Sequence, residues 1–268
     1  MAAASLCWSI GGLCIKFIPW GAMSIVGLRS LFAVAVFAIY RRSFKITLSS
    51  GNILAALCVA ATTNLFIFAN KLTTAAAAVL LQFTAPIFII LIQIVAYQKK
   101  PRTSEVVAVA LTLSGMFLFF ADKLGSGALL GNFLAITSGL TFAGVFLCNN
   151  RSDVQADQAL FLGFLINACI GAPFVVFGVN ANTGAWIAVS FLGIVQVGLA
   201  YILFSVGIKK TTALLACLIT AIEPVLNPIW VALATNERPG PFAISGGVVI
   251  LLTIICFNLW AERHPPSA

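Results

Sequence analysis

The chain has 268 residues, of which 61% are hydrophobic and 8% charged, and its mean hydropathy is +1.10. This composition excludes an ordinary water-soluble domain. Fifteen Lys and Arg against seven Asp and Glu give a net charge of +8, but the positive charges are scattered between apolar runs. They therefore indicate orientation in a membrane rather than binding to nucleic acid.

Apolar runs separated by short connectors predict an all-α integral membrane protein with ten transmembrane helices. In chain order these spans are 2–18, 22–40, 52–70, 73–97, 105–121, 128–148, 158–179, 185–208, 211–233 and 242–260. The seven cysteines lie within or at the edge of these runs and form no CxxC pair, so we expect neither disulfides nor a metal site.

The distribution of basic residues predicts the orientation of the spans. With a cytoplasmic N-terminus, only Lys71, Lys123 and Arg238 fall in outer connectors. Ten basic residues then fall on the cytoplasmic side, namely Arg41, Arg42, Lys45, Lys99, Lys100, Arg102, Arg151, Lys209, Lys210 and Arg263. The positive-inside rule therefore places both termini in the cytoplasm.

The sequence contains an internal repeat. A shift of 138 residues aligns 71–101 with 209–239 without a gap and gives nine identical positions out of 31, whereas apolar composition alone would give about three. Each half holds five spans, an odd number, so the second copy would cross the membrane in the opposite direction. The basic connector 98–102 also loses its positive excess in its copy, 236–240. We therefore expect two inverted five-helix repeats, residues 1–125 and 126–268.

Several short motifs resemble the drug/metabolite transporter superfamily, and within it the EamA-like family. They are Trp8-Ser9-Ile10-Gly11-Gly12, Gly27-Leu28-Arg29-Ser30-Leu31-Phe32-Ala33, Leu81-Gln82-Phe83-Thr84-Ala85-Pro86, Ile222-Glu223-Pro224-Val225 and Asn236-Glu237-Arg238. The resemblance covers essentially the whole chain. It implies a central cavity between the two halves, lined by spans 1, 3, 4, 6, 8 and 9. It also implies transport of amino acids, amines and other small metabolites, often outward and coupled to protons.

Prolines inside two spans predict broken helices. Pro86 and Pro224 are equivalent under the 138-residue shift, and each frees the carbonyl four residues earlier, that of Gln82 or of Thr220. Two broken helices facing each other are typical of a transport site, and Pro228 would loosen the second helix again. A simple packing kink is the alternative for either proline taken alone.

One acidic residue lies deep within a predicted span. Thr220, Glu223 and Asn227 recur at i, i+3 and i+7, which places them on one helical face. An ionisable side chain near the bilayer centre costs roughly 2.5–3.5 kcal/mol on insertion scales, and the protonated acid is favoured there. We expect Glu223 to couple transport to protons or to bind an ammonium group. The alternative is a protonated acid hydrogen-bonded between helices for stability.

Two basic residues and several uncharged polar residues complete the candidate set. Arg29 lies about seven residues into span 2 and resembles an arginine that recurs there in the family, which implies a structural role at the outer gate. Lys16 is expected to extend to the outer interface. The uncharged polar residues in the cavity-lining spans are Trp8, Ser9, Asn64, Gln82, Thr84, Thr141, Gln196, Tyr201 and Ser205, of which Trp8, Asn64, Gln82, Thr84 and Tyr201 are the predicted site residues. For each of them the alternative role is to form a hydrogen bond between helices.

These observations predict a multi-pass secondary transporter of the inner or plasma membrane. We expect export of small polar metabolites such as amino acids or amines by alternating access, without a cofactor and with proton coupling as a further hypothesis. A channel would need rings of like groups around a permanent pore. An enzyme would need clustered acids, His or Cys at an interface, but the single His264 lies in the tail. A lipid flippase stays open as an alternative.

Overall fold

A computed structural model of the chain describes residues 1–10, 18–121, 129–180, 182–226, 230 and 240–264. Within these ranges the secondary structure is helical, without strands, and eight helices are long and apolar enough to cross a membrane. These eight coincide with predicted spans 2 to 8 and 10. Spans 1 and 9 correspond to shorter apolar helices, Ala2–Ser9 and Ala213–Leu226, which adjoin residues outside the described ranges.

The described helices are named here in chain order. They are α1 (Ala2–Ser9), α2 (Ala22–Arg41), α3 (Ser50–Leu72), α4 (Ala75–Gln82), α5 (Ala85–Tyr97), α6 (Thr103–Phe120), α7 (Leu129–Asn150), α8 (Ala156–Gly178), α9 (Thr183–Phe191), the π-helix π1 (Leu192–Leu199), α10 (Ala200–Ile208), α11 (Ala213–Thr220) and α12 (Pro241–Arg263). Segments α9, π1 and α10 form one continuous span, and helical backbone resumes over 222–226 after α11.

Helices α4 and α11 begin and end at equivalent positions of the two sequence copies. Thr74 and Thr212 are their N-caps, and each hydroxyl accepts the backbone N–H three residues later, at 3.1 and 3.3 Å respectively. Both helices are eight residues long and end at Gln82 and Thr220. The Thr-Thr-Ala sequence that the copies share therefore caps the start of a helix in each copy.

Both helices are interrupted next to their prolines. The backbone N–H groups of Thr84 and Ala221 bond to the carbonyls three residues earlier, at 3.2 and 3.0 Å, which tightens the turn at each interruption. Helix α5 then starts with Pro86 in its first turn, where the missing N–H costs no helical hydrogen bond. Pro224 lies in the helical turn that follows Ala221.

The first and second halves of the chain pack against each other through paired helices. The most extensive contacts join α2 to α8, α3 to α7 and α6 to α12, and α3 also packs on α8 as α2 packs on π1. Glycines bring two of these pairs together closely. A Cβ added at Gly171 of α8 would lie 2.3 Å from the Cα of Gly27 on α2, and one at Gly246 would lie 2.5 Å from the carbonyl oxygen of Gly115. Small residues of this kind allow membrane helices to approach backbone to backbone.

We expect Gly171→Ala to destabilise the fold by about 1–3 kcal/mol, because the added methyl group meets backbone that has no flexible side chain to move. The measurement is the melting temperature of the purified protein in detergent. Gly21→Ala is the control, since its Cβ would meet no neighbouring atom closer than Ser24 Oγ at 4.0 Å. Equal melting temperatures for the two variants would contradict the close contact.

Candidate functional site

Tyr201 on α10 is the centre of the candidate site. Its ring packs edge-on against Trp8 of α1, with centroids 4.9 Å apart, and against Phe164 of α8, with centroids 5.0 Å apart. Arg29 of α2 and Glu223 lie within electrostatic range of the Tyr201 hydroxyl, without a described hydrogen bond to it. The same region of the bundle therefore holds four candidates from four different predicted spans, namely Trp8, Arg29, Tyr201 and Glu223.

Arg29 presents a charged group to this site without a described acceptor. Its Nε is buried and has no hydrogen-bond partner, while the residue as a whole is only half-buried. The backbone of Arg29 is fixed by π1, because a Cβ at Gly193 would lie 2.8 Å from the Arg29 carbonyl oxygen. A guanidinium without a described acceptor is costly at membrane depth, and ionisable residues there are typical of functional sites. The structural role at the outer gate that the sequence predicts for Arg29 stays a prediction.

The π-helix π1, which contacts Arg29 through Gly193, holds a further unpartnered polar atom. Gln196 lies in this segment, and its Oε1 is buried without a hydrogen-bond partner in the described residues. Segments of π-helix are rare and are frequent at functional sites. The sequence offered Gln196 as one of several polar residues in the cavity-lining spans, without favouring it over the others. Gly193 and Gly198 bring π1 close to α2.

A pair of asparagines connects α3 to α8. Asn64 Nδ2 donates to Asn167 Oδ1 at 2.7 Å and to the Ala60 carbonyl at 2.8 Å. Asn64 Oδ1 and Asn167 Nδ2 then have no partner among the described residues. Asn64 was a predicted candidate, but Asn167 was not, because the family resemblance does not place its span around the cavity.

The remaining polar candidates lie at the two helix interruptions and have partners there. Gln82 Nε2 donates to Ser138 Oγ of α7 at 2.8 Å. The hydroxyls of Thr84 and Thr220 each donate to the carbonyl three residues earlier, at 2.6 Å. No described ring contact or hydrogen bond joins these three side chains to Tyr201. Asn227 and the predicted hinge Pro228 lie outside the described residues, as does Lys16.

Buried aromatic rings close the bundle between this site and the end that carries both termini. Phe204 of α10 packs against Trp8 at 6.0 Å and against Phe146 of α7 at 5.6 Å, and Phe146 packs against Phe142 at 4.7 Å. Phe146 and Phe204 are fully buried. The site around Tyr201 is therefore separated from that end by a layer of packed side chains.

Polar contacts hold connectors and helix ends together at the same end of the bundle. Lys209 Nζ donates to the carbonyls of Arg151 and Val154 at 2.5 and 2.7 Å. Arg41 of α2 forms an ion pair with Asp157 of α8 at 2.8 Å. Partial burial lowers the pKa of Lys209 below its usual value, and the two carbonyls it contacts supply acceptors for its protons. The contacts of Lys209 join two connectors of the second half, and the ion pair of Arg41 joins the two halves of the chain.

In the part of the chain that the structure describes, His, Cys, Asp and Glu side chains form no group of three that would hold a metal ion. The site instead combines a guanidinium, a carboxyl, a phenol and an indole. This arrangement suits binding of a charged organic molecule.

The sequence profile of the EamA-like transporter family matches residues 1–121 and 129–259. The chain belongs to the EamA-like transporter family. This match confirms the resemblance carried by the short motifs. Since the structure contains eight helices of membrane-spanning length, the chain is a multi-pass membrane transporter.

Individual relatives share this description. An uncharacterized transporter of Archaeoglobus fulgidus is 25% identical over 202 residues, which cover 74% of this chain and 71% of the relative. The uncharacterized transporter YwfM of Bacillus subtilis is 25% identical over 225 residues, which cover 80% of this chain and 75% of the relative. A solved crystal structure superposes with a TM-score of 0.83 at 19% identity and covers 97% of this chain and 96% of that chain, a similarity of fold.

We expect Tyr201→Phe to weaken ligand binding about tenfold, because it removes a hydroxyl beside two charged groups and keeps the ring packed on Trp8 and Phe164. The measurement is the affinity for a compound selected by a thermal-shift screen of amino acids, amines and nucleosides. Tyr40→Phe is the matched control, because Tyr40 is exposed at the end of α2. Unchanged affinity in Tyr201→Phe would show that the Tyr201 hydroxyl takes no part in ligand binding.

Proposed function

We propose that this transporter is a secondary transporter of the cell membrane that exports small polar metabolites such as amino acids or amines. The observation that carries the proposal is the packing of Tyr201 on Trp8 and Phe164, with Arg29 and Glu223 within electrostatic range of its hydroxyl. A guanidinium suits a carboxylate of the ligand, and a carboxyl suits an ammonium group. Trp8 and Phe164 supply apolar contact to the same ligand.

Alternating access requires that the site open to one side at a time. The aromatic layer around Phe204 and the contacts of Lys209 support closure at the end that carries the termini. A permanently open channel would leave these side chains exposed to a pore. Flux of the selected compound in proteoliposomes tests the proposal. Movement of labelled phospholipid without movement of small polar compounds would favour the lipid flippase instead.

We propose that the chain is built from two inverted repeats, 1–125 and 126–268, with ten spans and both termini in the cytoplasm. The family profile matches once on each side of this boundary. Helices α4 and α11 begin and end 138 residues apart. Under the 138-residue shift, α3 corresponds to the span that contains π1, and α2 corresponds to α8. The contact of α3 with α8 therefore corresponds to that of α2 with π1, as a twofold axis in the membrane plane requires.

Cysteine labelling tests this inversion at positions 138 residues apart. Leu72→Cys and Lys210→Cys follow equivalent lysines of the two copies, in a background with the seven native Cys replaced by Ala. We expect a membrane-impermeant maleimide to label Leu72→Cys from outside intact cells and Lys210→Cys only after permeabilisation. Labelling of both positions from the same side would exclude inverted repeats.

Glu223 is the proposed coupling residue. Its side chain is half-buried and makes no hydrogen bond to any residue in the described ranges. A carboxyl without such partners is favoured as the neutral acid in a dry site and as the carboxylate when a cationic group or water arrives. The Glu223 carboxyl would then alternately release the ammonium group and take up a proton. This exchange would couple export of the ligand to entry of a proton.

We expect Glu223→Gln to fold and to lose nearly all proton-driven flux, because the amide keeps the shape of the acid but cannot titrate. Exchange down a ligand gradient is expected to persist. The measurement is flux in proteoliposomes with and without an imposed pH gradient. Asp153→Asn is the control, an acid-to-amide change in an exposed connector. An unchanged pH dependence in Glu223→Gln would show that the residue is structural.

A further inference from the structure

A cavity lies apart from the Tyr201 site. It is a crevice of about 500 Å³ at the end of the bundle that carries both termini. Its walls come from the start of α1, the connector between α5 and α6, the connector between α10 and α11, and the last turns of α12. None of the three central residues Arg29, Tyr201 and Glu223 lines it, so a ligand bound there would not occupy the proposed transport site.

Among the residues that line the crevice, three basic side chains (Lys99, Arg102 and Lys210) outnumber two acidic ones (Glu105 and Glu262). Lys99 precedes α6 and Lys210 precedes α11, and both line the cavity. Neither forms an ion pair with a carboxylate of the described residues. The two acids of the crevice have hydrogen bonds of their own, since Glu105 accepts the backbone N–H of Arg102 at 2.9 Å and Glu262 accepts from an amide of α12 at 3.1 Å. An anion entering the crevice would therefore meet two lysines without described carboxylate partners.

One wall of the crevice is a stack of rings on α12. Trp260 is stacked on His264 with centroids 4.9 Å apart and on Phe257 with centroids 6.0 Å apart. Arg102 covers Trp260 at 5.7 Å from the ring centroid and donates to the His264 carbonyl at 2.7 Å. Tryptophan at the end of a spanning helix is typical of the depth at which lipid headgroups lie.

The inner part of the crevice is apolar, whereas its mouth is polar. Leu215 and Ile219 of α11 line the inner part together with Phe257. Thr211 lies next to Lys210 and also lines the crevice, and its hydroxyl is buried without a hydrogen-bond partner in the described residues. A ligand that matches both parts has an anionic head and an apolar tail.

We propose that this crevice binds a phosphate group, supplied by the headgroup of an anionic phospholipid in the adjacent leaflet. Lys99 and Lys210 neutralise the phosphate from two sides, and the Thr211 hydroxyl donates to one of its oxygens. An acyl chain covers Leu215, Ile219 and Phe257, which free inorganic phosphate would leave in water. Basic pockets between spanning helices are suited to anionic headgroups in this way.

Native mass spectrometry of the full chain tests the proposal with phosphatidylglycerol and phosphatidylcholine as probes. We expect Lys99→Gln/Lys210→Gln to lower the affinity for phosphatidylglycerol about tenfold or more and to leave phosphatidylcholine binding unchanged. Arg42→Gln/Lys45→Gln is the matched control, because it removes two positive charges from another connector of the same face. Equal retention of phosphatidylglycerol by the two double variants would overturn the site.

A filling variant separates the crevice from general surface charge. Ala261→Phe places a ring in the cavity and keeps every charge, so we expect it to lose bound phosphatidylglycerol as the lysine variant does. Retention at the wild-type level would overturn the proposal. Inorganic phosphate at millimolar concentration is the remaining probe, and its binding is measured as a thermal shift. A lysine-dependent thermal shift with phosphate but none with phosphatidylglycerol would overturn the lipid assignment in favour of a small anion.

Discussion

Hydrocarbon offers no hydrogen bonds, so every backbone N–H and carbonyl at membrane depth must find its partner inside the protein. This constraint explains why the described chain is helical and why its irregular backbone is confined to buried places. The interruption after Gln82 faces α7, where Gly139 is so close that a Cβ would lie 2.8 Å from the Gln82 carbonyl oxygen. Next to the interruption after Thr220, the Ser5 hydroxyl of α1 donates to the Ile219 carbonyl at 3.3 Å. A neighbouring helix therefore packs directly against the backbone at each interruption.

The same constraint separates polar residues that hold helices together from those available to a ligand. Thr62 and Thr141 share a hydrogen bond at 2.9 Å, and Gln82 bonds to Ser138, so these side chains join α3 and α4 to α7. Trp8 Nε1, Arg29 Nε and Gln196 Oε1 instead have no hydrogen-bond partner among the described residues. Unsatisfied polar groups are costly in hydrocarbon, and these three, on α1, α2 and π1, support the transport site proposed around Tyr201.

Hydropathy was sufficient to find the spanning helices, because a length of about 20 apolar residues is imposed by the bilayer itself. Predicted spans 22–40 and 242–260 agree with Ala22–Arg41 and Pro241–Arg263 to within a few residues. Isolated polar residues in apolar runs also identified Arg29, Tyr201 and Glu223. The sequence could not reveal that Gln82 is bonded to Ser138, since that depends on which helices are neighbours. It also carries no pattern that distinguishes the π-helix around Gln196 from an ordinary α-helix.

The contact between Gly27 and Gly171 has a mechanical consequence for the whole bundle. Most helix crossings are locked by side chains that fit into the gaps of the facing helix, so turning one helix requires those side chains to change rotamer. At this crossing two backbones touch directly, with no side chain of either glycine between them. Helix α2 can tilt on α8 without any such repacking at the point of contact. The glycine pair is therefore a pivot, and the resistance to tilting comes from the parts of the two helices that lie farther from it.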